Sequence, residues 1–320
     1  MIAVNSNVGN GAQHIGRLAE ARIADLRIRQ EHPELYAPIS FGVVGMDDAV
    51  GGIVLPSMIA VGGEKKIGKT VFGVHTAIQV AKSGRFVPKR HSETGDKMIG
   101  TDGAELVVPL RVLAFHLEET RWQYTDRVVT SQAPTTNRAV IRDLKLTEEH
   151  FAEMDEVQRE LDAHYELYVD DSVFDADTMI KMALQYEAQV IVVDTFNLVR
   201  GGVGTNGQEK LAEISSKFLY ARNKYGITSV ILHHKNRQGL DFGSDALSRD
   251  ADLRITVSQP KDVVVLDTDM EGVLRLHIEN SRQAKGDQDI DVAVSFAQSR
   301  IRELKAVSMN FQHMETLIHD

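Results

Sequence analysis

The chain has 320 residues, enough for one large α/β domain with additions, and its 42% apolar content is ordinary for a globular core. It holds no cysteine, no apolar run long enough to cross a bilayer, and no secretion signal in Met1–Ser6, which argues against disulfides, thiolate metal sites, membrane spanning and export and leaves a cytoplasmic compartment as the expectation. A net charge of -10 excludes broad nonspecific coating of nucleic acid, although a local basic channel inside an acidic exterior stays compatible with it.

Residues 12–30 carry Ile15, Leu18, Ala19, Ile23 and Leu26 at helical spacing, with Arg17, Glu20, Arg22, Asp25 and Arg29 largely off that stripe and Pro33 beyond it. An amphipathic helix is expected here, in an N-terminal segment 1–38 outside the main domain. Its stripe can pack on its own domain or dock on a neighbouring subunit, and the pattern does not choose between them.

Next, the apolar run Met58–Val61 leads into Gly63, Glu64, Lys65, Lys66, Ile67, Gly68, Lys69 and Thr70, which fits G-x-x-x-x-G-K-[ST] at every fixed position. Such a loop binds a nucleoside triphosphate. Its glycines let backbone N–H groups close around phosphate oxygens, Lys69 neutralises the β and γ phosphates, and the Thr70 hydroxyl ligates Mg²⁺. Val71 opens a helix expected to run to Lys82 and stop at Ser83-Gly84, with its positive end toward the phosphates. ATP and Mg²⁺ are the cofactors this predicts.

Residues 85–110 form a polar, glycine-containing insertion whose apolar patches, Phe86-Val87 and Leu106-Val107-Val108, can pair as a hairpin. Strand and helix then alternate: Val112–Leu117, helical Thr120–Gln132 and Glu148–His164, strand Tyr165–Val169, helical Asp175–Glu187, and Val190–Val193. The last is a β-branched run without alternation, as in a parallel strand covered on both faces, and it delivers Asp194 as the second acid for Mg²⁺. Helical Gln208–Tyr225 and strand Ser229–Leu232 follow. Strands near Leu253–Ser258, Val263–Leu266, Val273–Ile278 and Ile290–Phe296 come without intervening helices. The pattern predicts a mostly parallel, helix-covered sheet that ends in antiparallel strands.

Hydrolysis also needs a base to activate water, and Glu118 and Glu119 both emerge at a strand's carboxyl end, where open α/β sheets bind ligands. Spacing alone does not separate them. The adjacent His233 and His234 lack a third ligand at a telling spacing, which argues against zinc.

The order of phosphate loop, Phe115-His116-Leu117-Glu118, apolar strand plus Asp194, and Val230-Ile231-Leu232-His233-His234-Lys235-Asn236-Arg237 resembles the RecA-like ATPase domain of DnaB-type ring helicases over roughly residues 39–300. Phe41–Asp47 and Gly51-Gly52 are similar to the approach to that domain. The resemblance implies a P-loop ATPase domain at 39–308, with a tail at 309–320, that assembles as a homo-oligomeric ring, a hexamer, and moves on single-stranded DNA during replication. It favours Glu118 as the catalytic base and gives His234 the role of γ-phosphate sensor. It also puts Gly201–Gly207 and Lys235–Ser248 on the channel side, with Arg200, Lys210, Lys235 and Arg237 as candidate DNA contacts. Arg282 matches an arginine that reaches the next subunit's nucleotide, but the family's partnering lysine is Asn280 here, and Lys285 is the nearby cation that can compensate.

A primase-contacting module ahead of the ATPase is not found in this sequence, so either a separate protein supplies that role, as in a compact bacterial, viral or mobile-element system, with a primase or loader as the expected partner, or there is none. A RecA-like strand-exchange recombinase shares the fold and phosphate motifs but forms filaments and needs dedicated pairing loops. A regulatory ATPase or helicase loader is the third reading, which the Asn280 departure keeps open.

Overall fold

In the computed structural model, which describes residues 14–204, 206–235, 245–261, 263, 269–282 and 286–304, the β-branched runs line up as the centre of a nine-stranded sheet. The chain opens with helices α1 (Ile15–Glu31), α2 (Pro33–Tyr36) and α3 (Val44–Val50), then β1 (Met58–Gly63) and α4 (Lys69–Ala81). A two-stranded arm follows, β2 (Phe86–Pro88) with β3 (Val107–Pro109), paired antiparallel with Val87 opposite Val108. The insertion is therefore the expected hairpin. Then come β4 (Val112–His116), α5 (Arg121–Gln132), α6 (Arg138–Arg142), α7 (Glu148–His164), β5 (Leu167–Asp170), α8 (Ala176–Gln185) and β6 (Val190–Asp194). A 3₁₀ turn (Phe196–Leu198), α9 (Gly207–Tyr225), β7 (Thr228–His234), α10 (Asp245–Asp250), β8 (Leu253–Ser258), β9 (Gly272–Ser281), β10 (Gln288–Ser295) and β11 (Arg300–Glu303) complete it.

Strand order is β11-β10-β9-β8-β1-β7-β6-β4-β5. From β8 to β5 all neighbours are parallel, while β9, β10 and β11 pair antiparallel, as the helix-free C-terminal stretch predicts. The central strands are buried on both faces. In β1, Ile59 and Val61 join the apolar layer of α3, α4 and α5, whereas Met58 and Ala60 join the layer of α8, α9 and α10. This two-sided burial is why these strands lack an alternating pattern. The expected strand Val263–Leu266 is not observed at Val263, and 264–266 lie outside the described residues. The short α3, α6 and β11 had no periodic signal long enough to announce them.

Helix α1 has no buried residue, and Ile15, Leu18, Ile23 and Leu26 are exposed, so the stripe does not pack on its own domain. A polar clasp attaches the helix instead. Lys97, from the insertion, reaches Asp25 of α1 at 3.2 Å, Glu105 at 2.7 Å and the Tyr36 hydroxyl at 3.0 Å. Arg29 pairs with Asp25 at 2.8 Å and lies over the Tyr36 ring, and the Tyr36 hydroxyl donates to Glu105.

Inside α4, His75 faces the Phe41 carbonyl at 3.0 Å, and burial pushes its imidazole down from 6.5 to about 4. The unfolded chain takes up that proton near the ordinary value while the folded one resists it. Stability from His75 is thus fully present above pH 6.5 and is lost as pH falls through 4, by up to about 3 kcal/mol. His75→Gln, whose amide can still donate to Phe41, is expected to flatten the pH dependence of the urea midpoint across this range. An unchanged slope would assign it to other groups.

Candidate nucleotide site

The phosphate loop leaves β1 at Gly63 and enters α4 through Gly68, which has φ +117°, a left-handed value that favours glycine, and which packs where a Cβ would meet Leu274 at 2.9 Å. The first helical bond runs from Phe72 N–H to the Gly68 carbonyl. Lys69, Thr70 and Val71 therefore offer N–H groups ahead of the helical ladder, the arrangement that suits an anion. The Val71 side chain is buried in the core, so only its backbone faces the loop. Lys69 Nζ donates to the Gly63 and Glu64 carbonyls at 2.9 and 2.6 Å. Burial holds its ammonium below the ordinary lysine value, against the pull of Asp194 and Glu118.

Asp194 ends β6 next to this loop, and the Thr70 hydroxyl donates to its Oδ2 at 2.7 Å. Two hard oxygen donors so placed fit Mg²⁺, which prefers carboxylate, hydroxyl and water oxygens. Register sets the next contact: His116 of β4 sits opposite Asp194. Its Nδ1 lies 3.4 Å from Asp194 Oδ2, an ion-pair distance without hydrogen-bond geometry, and its Nε2 lies 3.1 Å from Glu119. Burial disfavours the imidazolium, but the two carboxylates outweigh it and raise His116 from 6.5 to about 9.

The two glutamates that spacing left equivalent have different surroundings. Glu119 is gripped by Arg127 through both oxygens, at 2.8 and 2.6 Å. Although burial would raise it, His116 and Arg127 hold its carboxyl well below the usual range. Glu118 is 41% exposed and meets His234 Nε2 at 2.8 Å. His234 is itself held by its backbone N–H, which donates to Asn197 Oδ1 at 2.9 Å. Glu118 is the carboxylate free to face water.

Other candidates lie apart from this cluster. Lys235, expected to track a strand, has a side chain only 9% exposed that crosses above Gly62 to pair with Glu279 of β9, which also accepts from Thr256. Arg200 and Lys210 are exposed at the carboxyl-end side of the sheet, Arg200 over the Phe174 ring. Gly202 and Gly204 pack on Glu209 and Lys210 at the start of α9, and Gly201 packs on Asp175. Arg237 and Lys285 lie outside the described residues. Arg282 follows β9 at the amino-end side of the parallel strands, away from the phosphate loop, and reaches Asp252 of its own chain at 3.1 Å, with 55% of its side chain exposed.

Sequence reasoning assigned no role to His116, Arg127 or Asn197. His116 did leave a signal: it is the one polar residue in the apolar run Val112–Leu117, and a buried polar group requires partners. Arg127 and Asn197 find theirs only in three dimensions. Among the described residues no group of three or more His, Cys, Asp and Glu side chains is arranged to hold a metal ion by itself.

A sequence profile of the DnaB-like helicase C-terminal domain matches residues 39–320. No curated protein sequence matches. Among solved structures, the ATPase domain of a DnaB-like helicase is similar with a TM-score of 0.71 at 12% identity, covering 93% of this chain and 100% of that one. A DnaB-like replicative helicase, described together with its interactions with primase, gives 0.69 at 12% identity over 93% of this chain and 68% of the other. A KaiC-like protein from Pyrococcus horikoshii gives 0.51 at 12% identity, over 83% and 98%. At such identities the likeness establishes the fold, that of the RecA-like ATPases.

Proposed function

The chain belongs to the DnaB-like helicase C-terminal domain family, and from that premise we propose that it is an ATP-hydrolysing motor of DNA replication that assembles as a homo-oligomeric ring, a hexamer, and translocates on single-stranded DNA in the cytoplasm. One observation carries the reading: a single edge of the sheet gathers the phosphate loop, the Thr70–Asp194 oxygen pair and an accessible Glu118 with its His234 partner. Lys69 and the first-turn N–H groups of α4 hold the phosphates, Thr70 and Asp194 hold Mg²⁺, Glu118 orients and deprotonates water, and His234 senses the γ-phosphate. Bound there, Mg²⁺ would offset the negative charge of the phosphates. We assign residues 39–308 to this ATPase domain, with a primase or loader as a partner. No helix among the described residues is long and apolar enough to cross a membrane.

The test is ATPase and strand-unwinding activity with and without single-stranded DNA. DNA-stimulated turnover with unwinding is expected. The second reading, a regulatory ATPase, draws on Asn280 in place of a lysine and predicts neither. The DNA contacts proposed are Arg200, Lys210, Lys235 and Arg237, of which Arg200 and Lys210 are exposed among the described residues. Replacing both with alanine is expected to shallow the salt dependence of single-strand affinity by up to about 1.4 in slope, since each phosphate contact contributes about 0.7. Unchanged affinity and slope would remove this site.

A further inference from the structure

The proposed hydrolysis uses Glu118 and Asp194 but leaves unexplained the buried histidine that ends β4, two residues before Glu118 and in register with Asp194 of β6. His116 is 1% exposed, and an imidazole in an apolar strand is costly unless its nitrogens are met. Both face carboxylates, Glu119 on one side and Asp194 on the other. The Tyr124 ring packs against it, with centroids 5.1 Å apart. Glu119 cannot yield, because Arg127 engages both of its oxygens and is itself braced on the Ser299 hydroxyl at 3.2 Å. The ring is therefore fixed on every side but one, and the remaining side is the carboxylate that accepts from Thr70.

We propose that His116 is a positioning residue for Asp194, transmitting the orientation set by the Glu119–Arg127 ion pair to the carboxylate that faces Thr70. The inference rests on the reading that Thr70 and Asp194 hold the nucleotide's metal. It separates the labour of two adjacent glutamates: Glu118 meets water and Glu119 anchors the frame behind the metal site. Groups that orient a metal's ligands typically contribute about 10- to 100-fold to metal affinity.

The experiment measures Mn²⁺ binding, as a paramagnetic substitute for Mg²⁺, in the presence of ADP by electron paramagnetic resonance. In parallel, binding of a fluorescent ADP is measured with EDTA. In full-length protein, His116→Leu is expected to weaken Mn²⁺ binding about 10- to 100-fold while leaving metal-free ADP affinity unchanged. His116→Asn, whose amide nitrogen falls where Nδ1 faces Asp194 and can donate to it, should recover most of the loss. Glu119→Gln should show a smaller loss in the same direction, and it carries the test if His116→Leu fails to fold. Undiminished Mn²⁺ affinity in the folded variants overturns the inference, as does an equal loss of metal-free ADP binding, which marks a general packing role. Asp194→Asn separates the two levels. If it leaves Mn²⁺ affinity untouched, the metal-site reading itself falls and takes this inference with it; if it lowers affinity while His116→Leu does not, only the inference fails.

Discussion

Glu118→Gln is expected to bind nucleotide as the parent does and to lose turnover by about 10² to 10⁴, the usual contribution of a positioned base. The residue's surroundings support this. Glu118 keeps 41% of its side chain exposed and shares a contact with His234 that glutamine's amide can preserve, so shape survives while basicity is lost. Glu119 makes the control. Three of the roughly four acceptor sites of its carboxylate are taken by Arg127 and His116, which commits it to the protein rather than to water. Glu119→Gln should hydrolyse at close to the parental rate once Mg²⁺ is saturating, because its effect falls on metal affinity rather than on the base. Single-turnover hydrolysis at several Mg²⁺ concentrations checks both. A Glu118→Gln protein with parental turnover, beside a Glu119→Gln protein that stays inactive at high Mg²⁺, would reverse the assignment.

The second large effect is expected at Arg282. Its backbone N–H donates to the Asp252 carbonyl, and the Asp252 N–H donates to Met58, the first residue of β1. The phosphate loop begins at the other end of that strand, about 16 Å away at about 3.3 Å per residue. No rotamer of Arg282 reaches its own nucleotide site. Asp252 is also held by Arg222 at 2.5 Å, so releasing Arg282 would not leave that carboxylate unpaired. An arginine that stabilises a transferring phosphoryl group from a neighbouring subunit contributes up to about 10³ to 10⁵ in rate. Here the loss in Arg282→Ala is expected toward the low end, because Asn280 stands where a second cation would add to it. Mixed assemblies decide the matter. Arg282→Ala subunits combined with Glu118→Gln subunits should regain activity, since an intact base in one can meet an intact arginine from the other. Parental turnover in Arg282→Ala, together with no recovery in verified mixtures, would confine Arg282 to its pairing with Asp252.

Legibility followed the range of the interactions. Residues 63–70 were plain because their chemistry is local: glycines for backbone approach and a Lys-Thr pair at the helix start. The strands ending at His116 and Asp194 were plain because burial on both faces writes itself as an unbroken apolar run. What separates Glu118 from Glu119 is not local. It depends on Arg127, two helical turns on, and on His234 from a different strand. Lys235 shows the same limit from the other direction. Its place beside a glycine-rich stretch gave no sign of Glu279, which only the packing of β7, β1, β8 and β9 brings to it. The family resemblance supplied the preference for Glu118 that spacing could not, because it draws on a whole fold.

The clasp between α1 and the β2–β3 arm bears on how far this molecule can be divided. The family match begins at residue 39, which invites a cut just ahead of it. Yet Lys97 and Glu105, well inside the matched region, are partnered by Asp25 and Tyr36, which lie outside it. Helix and arm behave as halves of one part, separated in the chain and joined in space. A core trimmed to the matched residues would keep a lysine and a glutamate stripped of most of their company, and α1 grafted onto a relative without the arm would have nothing to hold it. The transferable unit is the pair, and exchanging pieces between motors of this kind has to move both together.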